Sequence, residues 1–270
     1  MIEIQKKLDQ LKSILKSMNK VSIAFSGGVD SMLLLKVAVE TLGKGNVVAL
    51  TIDVPYMPRW EIEEAKELAS ELGVNHKILK KEIDESIRYN PEDRCYICKK
   101  LIFSNLLEFS ETNGFVLTEG TNSDDLNDYR PGLKALKELN VRSPLLEANL
   151  TKKEIRSLSK EYGLKTWNKP SYACLISRIE YGAVLDEDIL RAIEKGEKFL
   201  REKGFEGARL RVHKNLCRIE VYKNQIEEVL RYWEEIIAYI KGLGFSHVTL
   251  DLEGYITGSM NVNVGGSKNG

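Results

Sequence analysis

The stretch Val21-Ser-Ile-Ala-Phe-Ser26-Gly27-Gly28-Val29-Asp30-Ser31 decides how the rest of the chain is read. Val21 to Phe25 form an apolar-leaning run with the pattern of a buried strand, and Met32 to Leu42 are patterned as an amphipathic helix. Between them lie two glycines flanked by two serines. Lacking Cβ atoms, Gly27 and Gly28 let a ligand approach the backbone, so that successive N–H groups can converge on it. The loop runs into a helix N-terminus, whose unpaired amides and dipole favour an anion. Ser26 and Ser31 add hydroxyl donors. The stretch reads as a cradle for phosphate; the alternative is a glycine-rich turn with no ligand.

No Gly-Lys-Ser/Thr follows the glycines, so this is not a Walker P-loop. The order Ser-Gly-Gly-Val-Asp-Ser instead resembles the PP-loop of the N-type ATP pyrophosphatases. The resemblance implies ATP split between its α and β phosphates, AMP attached to a substrate oxygen, and a nucleophile that displaces the AMP. ATP and Mg2+ are the cofactors it implies, with Ser26, Gly27, Gly28 and Ser31 holding the pyrophosphate portion and Asp30 helping to place the magnesium.

Outward from this loop, residues 1–19 form a helix by the spacing of Ile4, Leu8, Leu11, Ile14 and Leu15. Val47 to Asp53 is a continuous apolar run and a second strand, Trp60 to Leu72 a helix ended by Gly73, Val74 to Leu79 a third strand, and Phe115 to Glu119 a fourth. Alternating strands and helices give an α/β class, a doubly wound parallel sheet with its ligand at the carboxyl ends of the strands. Three rim features follow. Asp53 contacts a ribose or caps the next turn. Gly120 and Thr121 open a polar loop. Asp124 and Asp125 either hold magnesium or serve as caps and Asx turns. A turn at Arg130-Pro-Gly132, a short strand Val141 to Leu145, and a capping box at Thr151-Lys-Lys-Glu154 complete this part. From Asp186 the order becomes helix, strand, strand, helix (Gln225 to Tyr239), strand, which gives a smaller C-terminal α+β domain with an antiparallel sheet. The expected domains are 1–180 and 181–264, the second for substrate binding and oligomerisation, with a disordered tail at 265–270.

Bulk composition narrows the partners. Hydrophobic residues make up 43% and charged residues 30%, ordinary for a soluble globular protein, and 40 basic residues balance 40 acidic ones. That balance argues against nucleic acid as a partner. There is no apolar run of membrane-spanning length, and Met1-Ile-Glu-Ile-Gln-Lys-Lys starts as a charged helix, so a cytoplasmic location is expected. A homo-oligomer is compatible with the sequence.

The four cysteines in such a chain point to metal or catalytic chemistry rather than disulfides. Cys95 and Cys98 form a C-x-x-C, which fits a redox pair, half a zinc site or part of an iron–sulfur site. Cys174 lies in an aperiodic loop from Trp167 to Arg178. Cys217 lies in a strand and reads as a core thiol, and His76, His213 and His247 lack paired ligand spacing. Cys95, Cys98 and Cys174 remain as candidate metal ligands, with a zinc site or a catalytic Cys174 beside two free thiols as alternatives.

Taken together, the PP-loop, Arg94-Cys95-x-x-Cys98-Lys99, Glu119-Gly-Thr-Asn-x-Asp124, Pro-Ser-x-x-Cys174-x-x-Ser177-Arg178 and Arg209-x-Arg211 resemble the LarE family over essentially residues 1–260. The resemblance implies an ATP-dependent sulfur-insertion enzyme of nickel-pincer nucleotide biosynthesis. Its small-molecule nucleotide substrate is pyridinium-3,5-biscarboxylic acid mononucleotide, whose carboxylates become thiocarboxylates. It also implies a 4Fe-4S cluster on Cys95, Cys98 and Cys174, with sulfide or another sulfur donor as co-substrate. In the single-cysteine branch the residue matching Cys174 gives up its own sulfur; the two extra cysteines put that route in doubt here. Arg209 and Arg211 alternate along a strand and suit the substrate's 5′-phosphate. Arg178 steers a carboxylate or pairs with an acid. A cluster-dependent tRNA thiolation enzyme of the same superfamily and a non-catalytic ATP or redox sensor are the competing functions.

Overall fold

Val21 and Ile23 expose nothing to solvent, and Ser22 between them is equally buried, its hydroxyl bonded to that of Ser110 at 2.6 Å. A strand buried on both faces belongs in the interior of a parallel sheet. The computed structural model describes residues 2–127, 132–170, 172–256 and 259–261, apart from the side chains of Asn127 and Asn261. The expected tail at 265–270, Ser171, and Arg130 and Pro131 of the expected turn lie outside the described residues. Two compact units divide the chain: Met1–Glu82 with Asp93–Tyr172, and Ile83–Glu92 with Ala173–Gly270.

The first unit runs α1 (Ile2–Met18), β1 (Val21–Ala24), α2 (Val29–Leu42), β2 (Val47–Asp53), α3 (Arg59–Leu72), β3 (Asn75–Lys80), α4 (Arg94–Thr112), β4 (Val116–Thr118), α5 (Gly132–Glu138), α6 (Pro144–Glu147) and α7 (Lys152–Glu161). Its four strands are all parallel in the order β3-β2-β1-β4, so the expected α/β class holds. β1 pairs with β2 on one side and β4 on the other, and a crevice opens at their carboxyl ends where the order reverses. Leu33, Leu34 and Leu35 of α2 are all fully buried, and one core joins this helix to α1 through Leu8, Leu11 and Leu15 and to α7 through Ile155 and Leu158. A helix apolar almost all round needs neighbours on every side. Thr151 and Glu154 form the expected capping box of α7.

Two local expectations are corrected in this unit and one helix is added. Val141 to Leu145 is no strand: Arg142 makes a single parallel bridge to Thr118, and Pro144, which has no N–H to donate to a ladder, starts α6 instead. A further helix, α5, follows the expected turn, with Ala135 and Leu136 buried. And α2 begins at Val29 rather than Met32, which puts Asp30 and Ser31 in its first turn.

The second unit holds α8 (Glu187–Glu202), β5 (Arg209–His213), β6 (Leu216–Glu220), α9 (Ile226–Arg231), α10 (Trp233–Gly242) and β7 (His247–Leu250). Asp186 caps α8 by accepting the N–H of Asp188 at 2.7 Å. The sheet is mixed, a correction to the antiparallel one expected. β5 and β6 form a hairpin, but α9 and α10 carry the chain back across, so β7 joins β6 in parallel. The expected single helix from Gln225 is interrupted at Tyr232, whose N–H reaches back only three residues, to Val229. The segment Ile83–Glu92 is tied in through Asn90, which donates to the carbonyls of Ile179 (3.0 Å) and Glu180 (2.7 Å).

Truncating Leu11, which lies fully buried between α1 and α2, tests this packing. Leu11→Ala is expected to lower stability by about 2–5 kcal/mol, the usual loss for a buried leucine, read as a drop in urea midpoint at unchanged slope.

Candidate functional site

The loop after β1 continues the sheet before it turns. Phe25 donates its N–H to Leu50 (2.7 Å) and accepts the Thr51 hydroxyl at 2.6 Å. Gly27 then adopts φ +68°, the left-handed region open to glycine, and Gly28 is the N-cap of α2. Gly28 brings no side chain to cap this helix, and its own N–H lies 3.4 Å from the Ser26 hydroxyl. The leading amides of α2, with the positive end of the helix dipole, therefore face a cavity of about 320 Å³ without a competing oxygen from a capping side chain. Ser26 and Ser31 stand 3.3 Å apart at their hydroxyls. Gly120, where the chain leaves β4, presses against the same turn: a Cβ there would come within 3.1 Å of the Ser31 nitrogen.

The cavity lining is mixed. Ser26, Gly28, Asp30, Ser31, Thr51, Lys99, Glu119, Gly120, Thr121 and Asp125 are its polar part, and Phe25, Leu50, Ile52, Met57, Ile102, Phe103 and Leu106 its apolar part. Its volume lies within the range of small-molecule sites. An anion belongs at the helix end and a flat apolar group in the remainder.

Cations reach this end from elsewhere in the sequence. Lys152, the first residue of α7, forms an ion pair with Asp30, whose other oxygen accepts the Asn122 amide at 3.2 Å. Lys169 donates to the Gly27 carbonyl (3.1 Å) and to Glu64 (2.5 Å). The loop after Gly120 is a web of its own bonds. Buried Glu119 accepts the N–H and hydroxyl of Thr121 (3.0 and 2.7 Å), and Asp125 accepts the Asn122 N–H at 3.0 Å. Asp124 is exposed and accepts the N–H of Lys152 at 2.9 Å, a helix-capping contact. Asp53 turns to form an ion pair with Arg59. Neither Lys152 nor Lys169 was singled out from the sequence. Lys152 carried a signal nonetheless, because a cation in the first turn of a helix opposes the dipole and so calls for an anionic partner.

Cys95 lies in the first turn of α4 and Cys98 opens the second, three residues apart on one face, and the Tyr56 hydroxyl lies 3.2 Å from the Cys98 sulfur. Cys174 belongs to the second unit, where it is exposed at the head of a 3₁₀ turn, Leu175–Arg178. Cys217 is fully buried on β6, and burial, with the negative charge of Glu197 adding to it, pushes its thiol up to about 12. Three thiols thus reach the surface and one is sealed in the core, and soft thiolates are the donors an iron–sulfur cluster takes. Among the described residues, no group of three or more His, Cys, Asp or Glu side chains is placed to hold a metal ion.

Two arginines of the second unit, Arg178 and Arg211, face inward. Arg178 is 1% exposed and grips Glu197 through two bonds of 2.9 and 3.0 Å, so it meets an acid of its own fold where a substrate carboxylate was one expectation. Burial works against its charge, but the field and hydrogen bonds of Glu197 outweigh that and hold its pKa above the ordinary value. Arg211 is likewise buried against Glu220 at 2.8–2.9 Å. Arg209, partly exposed, donates to the carbonyls of Gly207 and Ala208 and lies over the ring of Tyr255.

Against known proteins, residues 3–101 match the family model described as NAD synthase. The chain is 39% identical over 254 residues to the pyridinium-3,5-bisthiocarboxylic acid mononucleotide synthase of Lactiplantibacillus plantarum, covering 93% of this chain and 92% of that protein. It is 38% identical to an uncharacterised protein of Synechocystis, over 96% of this chain and 98% of the other. A shorter likeness, 31% over 125 residues, links it to the NH(3)-dependent NAD(+) synthetase of Methanopyrus kandleri, covering 40% of this chain and 42% of that one.

Two outcomes are expected from this geometry. Gly120→Ala should weaken ATP binding by about tenfold, or 1.4 kcal/mol, with an unchanged circular dichroism spectrum, because its methyl meets the α2 turn. In metal-free protein at pH 8, Cys95, Cys98 and Cys174 should react with a thiol reagent, whereas Cys217, held almost entirely as the thiol, should react only after denaturant is added.

Proposed function

The chain belongs to the LarE family, that of the pyridinium-3,5-bisthiocarboxylic acid mononucleotide synthase, and on that premise we propose that it converts carboxylates of pyridinium-3,5-biscarboxylic acid mononucleotide into thiocarboxylates. It is an ATP-dependent enzyme built on a PP-loop domain. The observation that carries the proposal is the identity of 39% across both units to a synthase of that product. The bare N-terminus of α2 at the cavity mouth supports the ATP half of the reaction.

A carboxylate oxygen is a poor leaving group, so activation comes first. ATP places its base among Phe25, Ile52 and Phe103 and its phosphates at the α2 amides, Ser26 and Ser31. A substrate carboxylate oxygen attacks the α phosphorus, a P–O bond forms, the bond to the bridging oxygen breaks, and pyrophosphate departs. Lys152 and Lys169 balance its charge, and the amides are already oriented toward it, so little reorganisation is needed. Asp30 would be the carboxylate that helps to hold Mg2+ beside the phosphates. A sulfur nucleophile then forms a bond to the acyl carbon and AMP leaves with the former carboxylate oxygen.

Cys95, Cys98 and Cys174 would hold the 4Fe-4S cluster. When bound, it supplies an iron without a protein thiolate, open to an external sulfide. Residues 181–264 take the substrate-holding and oligomerisation role, with Arg209 near the 5′-phosphate.

Anaerobically purified protein should contain about four iron atoms and four acid-labile sulfides per chain, and serine at position 95, 98 or 174 should lower both. Pyrophosphate should appear only when the pyridinium mononucleotide is added to ATP. Iron retained in all three single variants would remove the cluster from the proposal. Loss of the elements of hydrogen sulfide from Cys174 after turnover, read by mass spectrometry, would replace external sulfide with a sacrificial cysteine.

A further inference from the structure

We propose that Glu197 and Glu220 are positioning residues for Cys174, each acting through a buried arginine that grips the backbone of the 173–177 turn. Arg178 spends Nε and Nη2 on Glu197 and Nη1 on the carbonyls of Ala173 (2.8 Å) and Cys174 (3.1 Å) and on the Ser177 hydroxyl (2.8 Å). Arg211 spends Nε and Nη2 on Glu220 and Nη1 on the Ser177 carbonyl at 3.0 Å. The two guanidiniums thus seize a turn of five residues from its carbonyl side.

The carboxylates are themselves anchored to the sheet. Glu197, on α8, also accepts the N–H of Leu210 on β5 at 3.2 Å. Glu220, fully buried on β6, also takes Arg218 at 3.2 Å and the Ser259 hydroxyl at 2.7 Å. Each clamp therefore runs from a regular element, through a carboxylate and a planar fork, to the irregular turn.

The turn's own bonds are short-range. Ser177 donates its N–H and its hydroxyl to the Cys174 carbonyl and Ile179 donates its N–H to Ile176, while Leu175 and Ile176 between them are buried. Isolated 3₁₀ turns are weak. A buried ion pair generally gives no stability beyond what an apolar pair of similar volume would give. Two such pairs converging on the carbonyls of one short turn are accounted for by the geometry they impose. The outcome is a thiol that is exposed while its backbone is fixed, the arrangement a nucleophile or ligand needs.

This inference rests on the proposed role of Cys174 as the sulfur-handling residue, so its test includes a readout independent of turnover. The parent is the full chain with Cys95→Ser and Cys98→Ser, in which Cys174 is the accessible thiol and Cys217 is buried. Its second-order rate of alkylation by iodoacetamide is compared with those of Glu197→Gln, Glu220→Gln and Arg178→Lys, which lose a charge or the fork, and of Ile236→Ala, which removes a buried side chain from α10 and touches no member of the clamp. The three clamp variants are expected to change the rate several-fold, while Ile236→Ala, at equal or greater loss of melting temperature, keeps the parental rate. Parental rates in folded clamp variants, or an Ile236→Ala that reproduces the change, would overturn the proposal. In otherwise wild-type protein, Glu197→Gln should cut sulfur transfer by about tenfold or more with KM for ATP unchanged. If wild-type protein makes no thiocarboxylate at all, the proposed function fails, and the alkylation result still decides the clamp.

Discussion

The amides at the start of α2 have no capping side chain, and they sit where the order of the parallel sheet reverses. Unpaired backbone donors are tolerable when water or a ligand reaches them. Everything near that turn serves to keep it both open and rigid. β1 is buried on both faces, so its end cannot drift. Gly27 turns the chain through a left-handed conformation, and Gly120 lets the exit of β4 lie against the same turn without a side chain between. The apolar lining follows from the same arrangement, because Leu50 and Ile52 of β2, Phe25 just past β1 and the α4 residues Ile102, Phe103 and Leu106 meet there.

This part of the molecule was legible in the sequence because its signals are local. A continuous apolar run followed by a glycine pair and an apolar helix can hardly be laid out otherwise, and the capping box of α7 is written in four consecutive residues. The loop after Gly120 was readable as polar but not as a web. Asn122 reaches Asp30 across 92 positions, and Lys152 reaches it across 122. The strand expected at Val141 to Leu145 failed on one residue, Pro144, whose missing N–H outweighed the apolar pattern. In the second unit, the crossover from β6 to β7 turned on counting α9 and α10 as a connection, which makes the third strand parallel.

The arginines show what periodicity leaves open. Arg209 and Arg211 alternate along β5, and alternation places both on one side of a strand whether that side faces solvent or core. The partner decides. The hairpin register sets Glu220 opposite Arg209, and Arg211 reaches diagonally to bind it, while Arg209 lies against Tyr255. A glutamate nine residues on from an arginine is unremarkable until the hairpin register is known. Once it is, Arg211 is seen to bind an acid of its own fold at the position where the substrate's phosphate was expected.

Ion pairs in the two units differ in how readily they can be given up. Lys152 and Asp30 keep 35% and 22% of their side-chain surface, and a pair so placed contributes only about 0–1 kcal/mol. A polyphosphate or a metal ion arriving at α2 can therefore separate it at little cost, each partner gaining a new counter-charge. Arg178 and Glu197 keep 1% and 6%, and removing either partner of a pair so buried costs about 3–5 kcal/mol. No ligand of ordinary affinity exchanges that contact. The half-exposed pair suits a site where partners are exchanged, and the buried pair suits a turn that keeps one conformation.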